Sequence, residues 1–155
     1  MLCPNCNVLI SGSMTTCYNC NTTVKEGLPH PELKVLIIDD DEAIAETVKI
    51  LLDSADLNCH CEFNGRNGWQ SFTKDNFDIA IVDFDIPYIQ GLTLSRMMKE
   101  RRKEFPVILC TGYSNLLSSD EIKASGVDSF LSKPLNMELL LYEVQRLTLG
   151  APEKD

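Results

Sequence analysis

The chain has 155 residues, a formal net charge of −9 and 44% hydrophobic residues. That suffices for one domain with a core plus a small appendage, and it excludes a disordered or collagen-like chain. No apolar run reaches the roughly 20 residues of a membrane span, and no basic-then-apolar leader opens the sequence. The acidic balance argues against binding a phosphate backbone, so neither membrane nor nucleic acid is an expected partner.

Four of the seven cysteines fall in the first twenty residues, as Cys3-Pro-Asn-Cys6 and Cys17-Tyr-Asn-Cys20. Without a secretory leader the expected location is cytoplasmic, and in that reducing compartment paired C-x-x-C reads as metal before disulfide. Four thiolates suit tetrahedral Zn2+, and so short a segment needs the metal to fold. The same ligand set also admits iron, the lesser alternative. Ser11-Gly-Ser13 marks a hairpin turn between the pairs. Asn7 and Asn21 follow each second cysteine, and asparagine tolerates the left-handed backbone of a tight knuckle. Residues 1–24 resemble a zinc ribbon. They contain no Lys or Arg, which favours a structural or protein-docking role over nucleic-acid binding.

Residues 25–32, with Gly27, Pro29 and Pro31, read as a short stiff linker. No internal repeat is evident. From residue 33 the texture alternates. Leu33–Ile38 is a buried strand; Ile44, Val48, Leu51, Leu52 and Ala55 share a helical face. Leu57, Cys59, Cys61 and Phe63 alternate with polar residues, as on an edge strand. A helix over 64–74, a strand over 78–82 and a helix near 92–103 follow. Then come a strand over 107–110, a helix around 116–124 ended by Gly126, and a strand over 127–131. Met137, Leu140, Leu141, Val144 and Leu147 give the last helix its buried stripe. Five strand–helix units over 33–150, with a tail at 151–155, predict an α/β fold: a doubly wound parallel sheet of order 2-1-3-4-5. Cys59, Cys61 and Cys110 read as packing; His30 and His60 carry no assigned role.

The chemistry gathers at strand ends. Asp39-Asp40-Asp41 follow the first strand, Asp83 the third, Thr111 the fourth and Lys133-Pro134 the fifth. In an open parallel sheet those ends form the ligand crevice. Asp39, Asp40 and Asp83 together would repel one another unless a hard divalent cation, Mg2+, were held among them. Lys133 suits a phosphoryl oxygen and Thr111 offers a hydroxyl. The set describes a phosphoryl site with a carboxylate nucleophile.

Val35-Leu-Ile-Ile-Asp-Asp-Asp-Glu42, the stretch Asp83-Phe-Asp-Ile-Pro-Tyr-Ile-Gln-Gly91, Pro106-Val-Ile-Leu-Cys-Thr-Gly112 and Phe130-Leu-Ser-Lys-Pro134 together resemble the response-regulator receiver domain. The resemblance implies that Asp83 is the phosphoacceptor for a sensor histidine kinase or phosphotransfer protein. It implies that Asp40, Asp83 and the Asp85 backbone carbonyl bind Mg2+, with Asp39 acting mainly through water. Lys133 would hold a phosphoryl oxygen, while Thr111 and Phe130 would form the switch. Output would run to a downstream protein, or to a homodimer, through the fourth helix, fifth strand and last helix. Leu139 and Tyr142, off the buried stripe, are contact candidates there. The chain is then a signalling protein catalysing only its own phosphorylation and dephosphorylation, and no separate output domain is read after Gly150. Two departures stand out: the extra carboxylate of Asp85, and Tyr113, expected to shield the phosphorylated aspartate and slow its hydrolysis. Two alternatives remain. One is a phosphorylation-independent adaptor. The other is a haloacid-dehalogenase-like phosphatase using Asp83 and Asp85, although only Glu138 and Glu143 follow the lysine nearby to complete its metal site, both on the last helix.

Overall fold

The computed structural model describes residues 3, 5, 6, 8, 16–23, 32–112 and 117–149. The hairpin turn at 11–13, most of the linker, Tyr113, Leu116, Gly150 and the tail lie outside the described residues. Five strands and five helices alternate: β1 Lys34–Ile38, α1 Glu42–Ser54, β2 Asn58–Glu62, α2 Gly65–Lys74, β3 Ile79–Asp83, α3 Gly91–Arg101, β4 Val107–Thr111, α4 Ser119–Ser125, β5 Ser129–Ser132 and α5 Met137–Leu149. The strands are parallel, in the order β2-β1-β3-β4-β5. This is the doubly wound sheet that the alternating pattern predicts.

Side chains alternate across each strand, so the sheet builds two cores. Val35, Ile37, Ile79, Ile81, Ile108 and Cys110 meet Ala45, Val48 and Leu52 of α1 and Leu140 and Val144 of α5. Leu36, Ile38, Ala80, Val82, Val107 and Leu109 meet Phe72 of α2 and Leu94 and Met98 of α3. Burying one such aliphatic side chain contributes roughly 1.5–3 kcal/mol, so it is the sheet that holds the short helices in place.

Local chemistry sets the boundaries. Asp41 caps α1, its Oδ1 accepting from the Ala43 and Ile44 amides at 3.0 and 3.3 Å. Asn64 caps α2 through the Asn67 amide at 2.8 Å. At α4 the expected start near residue 116 is corrected to Ser119. Ser118 and Glu121 form a reciprocal capping box that fixes the first turn there. Gly126 ends this helix with φ 76, a left-handed conformation natural to glycine. The fifth strand starts at Ser129 rather than Val127, because the Asp128 carboxylate takes the Val107 amide at 2.8 Å. In α1 the buried alanine is Ala45, beside Val48 and Leu52, while Ala55 is the C-cap, just past the helix. The stripe of α5 is as expected: Leu140 and Val144 are buried, and Met137, Leu141 and Leu147 pack against the same core.

Candidate functional site

The parallel sheet brings the polar strand ends together. Asp39 follows β1, Asp83 is the last residue of β3, Thr111 is the last of β4, and Lys133 follows β5. Register carries this across the sheet. Asp83 is opposite Cys110, and Thr111 is opposite Ser132. The Lys133 amide donates to the Thr111 carbonyl at 2.8 Å and the Phe84 amide to the Cys110 carbonyl at 2.7 Å. Asp40, Asp41, Ile44, Asp83, Asp85, Gly112 and Lys133 line the resulting crevice.

Within it, one carboxylate oxygen from each of Asp39, Asp40 and Asp83 lies within 4.8 Å of the others. Asp39 and Asp83 are buried, while Asp40 is exposed. Lys133 Nζ lies 2.9 Å from Asp39 Oδ2 and 3.2 Å from Asp83 Oδ1. Asp39 Oδ1 also accepts from the Asp41 amide at 2.9 Å, which fixes its plane. Burial, then the Asp39 charge, pushes the Asp83 carboxyl up to about 6, against the pull of Lys133. Burial pulls the Lys133 ammonium down, but the hydrogen bond and charge of Asp39 and the charge of Asp83 outweigh it and hold its pKa above the usual value. Among the described residues, two buried acids and an exposed one share a single cation. The donor set therefore fits a hard divalent cation, which would relieve the remaining repulsion.

The neighbours are placed to match. Thr111 is buried at the end of β4. Phe130 is half-buried against the second core. Asp85 is exposed at the rim. The β3–α3 loop closes tightly: the Gly91 amide donates to the Phe84 carbonyl at 3.0 Å, and a Cβ at Gly91 would collide with the Asp83 carbonyl.

A family profile described as "Response regulator receiver domain" matches residues 35–145. The chain belongs to the response regulator receiver family. Vibrio cholerae chemotaxis response regulator CheY4 superposes with a TM-score of 0.69 at 29% identity, over 76% of this chain and 99% of that one. Thermotoga maritima response regulator TrrA, solved in complex with Mg2+-BeF, gives 0.68 at 26% identity, over 74% and 98%. Hybrid signal transduction histidine kinase G of Dictyostelium discoideum is 29% identical over 120 residues, 74% of this chain and 4% of the kinase. The response regulator ArlR of Staphylococcus aureus is 25% identical over 122 residues, 79% of this chain and 55% of ArlR. The chain thus spans about half of ArlR and a small part of the kinase. Membership in the receiver family removes the haloacid-dehalogenase alternative. Among the described residues no helix is long and apolar enough to cross a membrane.

On the face expected to carry receiver output, Leu139 is exposed, while Tyr142 is half-buried. Arg66 lies over the Tyr88 ring, a pair at the β3–α3 loop with no signal in the binary pattern. Asp41, third of the acidic run, serves the helix cap rather than the cation.

Ahead of the receiver, one sulfur from each of Cys3, Cys6, Cys17 and Cys20 lies within 4.8 Å of the others. Cys3 and Cys20 are 3.4 Å apart at sulfur, Cys6 and Cys17 3.5 Å. Those spacings are too long for a disulfide. They approach the tetrahedral edge of about 3.8 Å that Zn–S bonds of about 2.3 Å imply. Asn21 adopts φ 55, the left-handed backbone expected after the second knuckle; Asn7 lies outside the described residues. Thr16 and Thr23 form an antiparallel bridge that closes the second knuckle. Hydrogen bonding by the Thr22 side chain and backbone draws the Cys20 thiol down to about 5, and burial pushes Cys17 up to about 11. Cys59 and Cys110 are driven up to about 12 by burial and stay thiols.

Proposed function

We propose that this receiver accepts a phosphoryl group on Asp83 from the phosphohistidine of a sensor histidine kinase or phosphotransfer protein, and signals through protein contacts. The observation that carries the reading is Lys133 Nζ, held at 2.9 Å from Asp39 and 3.2 Å from Asp83 at the mouth of the crevice. A carboxylate oxygen of Asp83 forms the new O–P bond as the histidine N–P bond breaks, and the imidazole leaves as the base. Lys133 turns from the carboxylate to the arriving phosphoryl oxygens. Asp39, Asp40, Asp83 and the Asp85 carbonyl would hold Mg2+, which, when bound, neutralises charge on those oxygens. Thr111 offers its hydroxyl to the phosphoryl group and Phe130 repacks into the space that opens, coupling the site to α4, β5 and α5. That face then meets a downstream protein or a second copy of the chain. The four N-terminal thiolates hold Zn2+ as a structural ion, and unpaired cysteines suit the reducing cytoplasm in which such a protein would act. Tyr113 limits access of water to the phosphorylated aspartate, so Tyr113→Ala shortens its lifetime.

Intact mass after incubation with Mg2+ and acetyl phosphate tests the reading. One added phosphoryl group is expected in the wild type and none in Asp83→Asn. A folded protein that gains no mass from acetyl phosphate or from phosphorylated kinases overturns it and leaves the adaptor.

A further inference from the structure

The two cysteine knuckles repeat. Cys3-Pro-Asn-Cys-Asn7 and Cys17-Tyr-Asn-Cys-Asn21 share the pattern Cys-x-Asn-Cys-Asn at an offset of 14 residues. This is an internal repeat that hydropathy does not reveal.

The geometry keeps the same correspondence. The Cys3 amide donates to the Val8 carbonyl at 2.9 Å, and the Cys17 amide to the Thr22 carbonyl at 2.9 Å. Val8 and Thr22 are themselves one offset apart. The sulfur pairs Cys3–Cys20 and Cys6–Cys17, at 3.4 and 3.5 Å, exchange when the two knuckles are swapped. So does burial: the first cysteine of each knuckle is buried and the second half-buried. The second cysteines follow it through their amide neighbours, although Cys20 also has a hydrogen bond with the Thr22 hydroxyl at 3.1 Å that Val8 cannot reproduce. The Asn5 side chain hydrogen-bonds Cys20 of the opposite knuckle, and the Asn19 side chain hydrogen-bonds Cys6. An approximate twofold axis therefore relates the knuckles through the centre of the four sulfurs.

Charge gives the crossed amides a purpose. Four thiolates around a divalent ion leave two negative charges in excess. Residues 1–24 hold no Lys or Arg to offset them. Hydrogen-bond donors must do it, and groups behind the ligands set both their orientation and the affinity.

We propose that Asn5 and Asn19 are reciprocal positioning residues of a four-thiolate Zn2+ site, each donating its side-chain amide across the axis to the second thiolate of the other knuckle. This rests on reading the four cysteines as a zinc site. Because each amide reaches the opposite knuckle, the two cysteine pairs are oriented as one unit.

The full-length chain, stripped of metal and reduced, is titrated with Co2+, read by its thiolate-to-metal absorption, and then with Zn2+ against a competing chelator. The wild type is expected to take one ion. Asn5→Ala and Asn19→Ala are expected to weaken Zn2+ binding by about 10- to 100-fold, and by similar factors. Asn5→Asp and Asn19→Asp are expected to be weaker than the alanine variants, because a nearly isosteric carboxylate sets an acceptor against the thiolate. Mere packing predicts the reverse order. Equal affinities throughout, or aspartate variants that match or exceed alanine, overturn the positioning role and leave the zinc site standing. A wild-type chain that takes up neither ion overturns both. Thermal unfolding of the receiver in every variant confirms that the chain compared is folded.

Discussion

The Arg66 guanidinium carbon sits 4.3 Å from the centre of the Tyr88 ring. Tyr88 is exposed and has φ 70, in a loop where the Ile89 amide donates to the Pro87 carbonyl at 3.0 Å. A bulky residue in the left-handed region costs about 1–2 kcal/mol. The cation over the ring offsets part of that cost, and it ties the start of α2 to the β3–α3 loop. The Gly65 amide, donating to the Pro87 carbonyl at 3.0 Å, makes a second tie. A double-mutant cycle of Arg66→Ala and Tyr88→Ala, followed by urea unfolding, is expected to give a coupling of about 0.5–1 kcal/mol. Strict additivity would show that the contact contributes nothing.

Asp83 makes the metal-free protein sensitive to pH. Its carboxyl is raised from 3.8 to about 6, first by burial and then by Asp39. In this window the folded state binds the proton more tightly than the unfolded chain, so stability falls as pH rises from about 4 to about 6 and stays low above it. Asp83→Asn removes this dependence. In chelator, the variant is expected to be more stable than the wild type at pH 7.5 by roughly 2 kcal/mol, and the difference is expected to vanish near pH 4. An unchanged difference across that range would count against the assignment.

Lys133→Ala leaves Asp39 and Asp83 buried side by side with no cation between them. Removing one partner of a buried ion pair typically costs about 3–5 kcal/mol, and a crevice open to water lowers this to roughly 2–3 kcal/mol. The loss is expected to be larger at pH 7.5 than at pH 5, where one acid takes up a proton. Chemical unfolding at the two pH values measures it, and phosphoryl uptake from acetyl phosphate is expected to disappear in parallel.

Gly91 lies against the backbone of Asp83, the proposed phosphoacceptor. A Cβ there would overlap the Asp83 carbonyl and the Phe84 Cα. Gly91→Ala is expected to destabilise the receiver by about 1–3 kcal/mol, and to slow modification of Asp83 because β3 must yield. Normal uptake kinetics with wild-type stability would mean that the α3 start shifts instead.

Much of this was legible because the parallel sheet turns sequence order into spatial order. A strand end in the sequence is a strand end in space, so Asp39, Asp83, Thr111 and Lys133 could be brought to one edge from hydropathy alone. The start of α4 was not legible from apolar spacing, because Leu116 looks helical while the boundary belongs to Ser118 and Glu121, two polar residues acting through their caps. Asp41 shows the same blind spot: composition groups it with its acidic neighbours, and only backbone geometry assigns it to α1. Asn5 and Asn19 stand inside a motif whose cysteine spacing dominates, and hydropathy does not register a repeat of amides. Arg66 and Tyr88 meet across two elements, which no local pattern encodes.

The contact between Asp39 and Lys133 joins positions 94 residues apart, from the first strand to the fifth. Closing so long a loop is entropically costly and belongs late in folding. A chain still lacking β5 holds Asp39 and Asp83 as bare acids with no lysine between them. On the proposed mechanism the capacity to take a phosphoryl group then arrives only with the last strand, and a receiver cut before Lys133 is expected to stay silent.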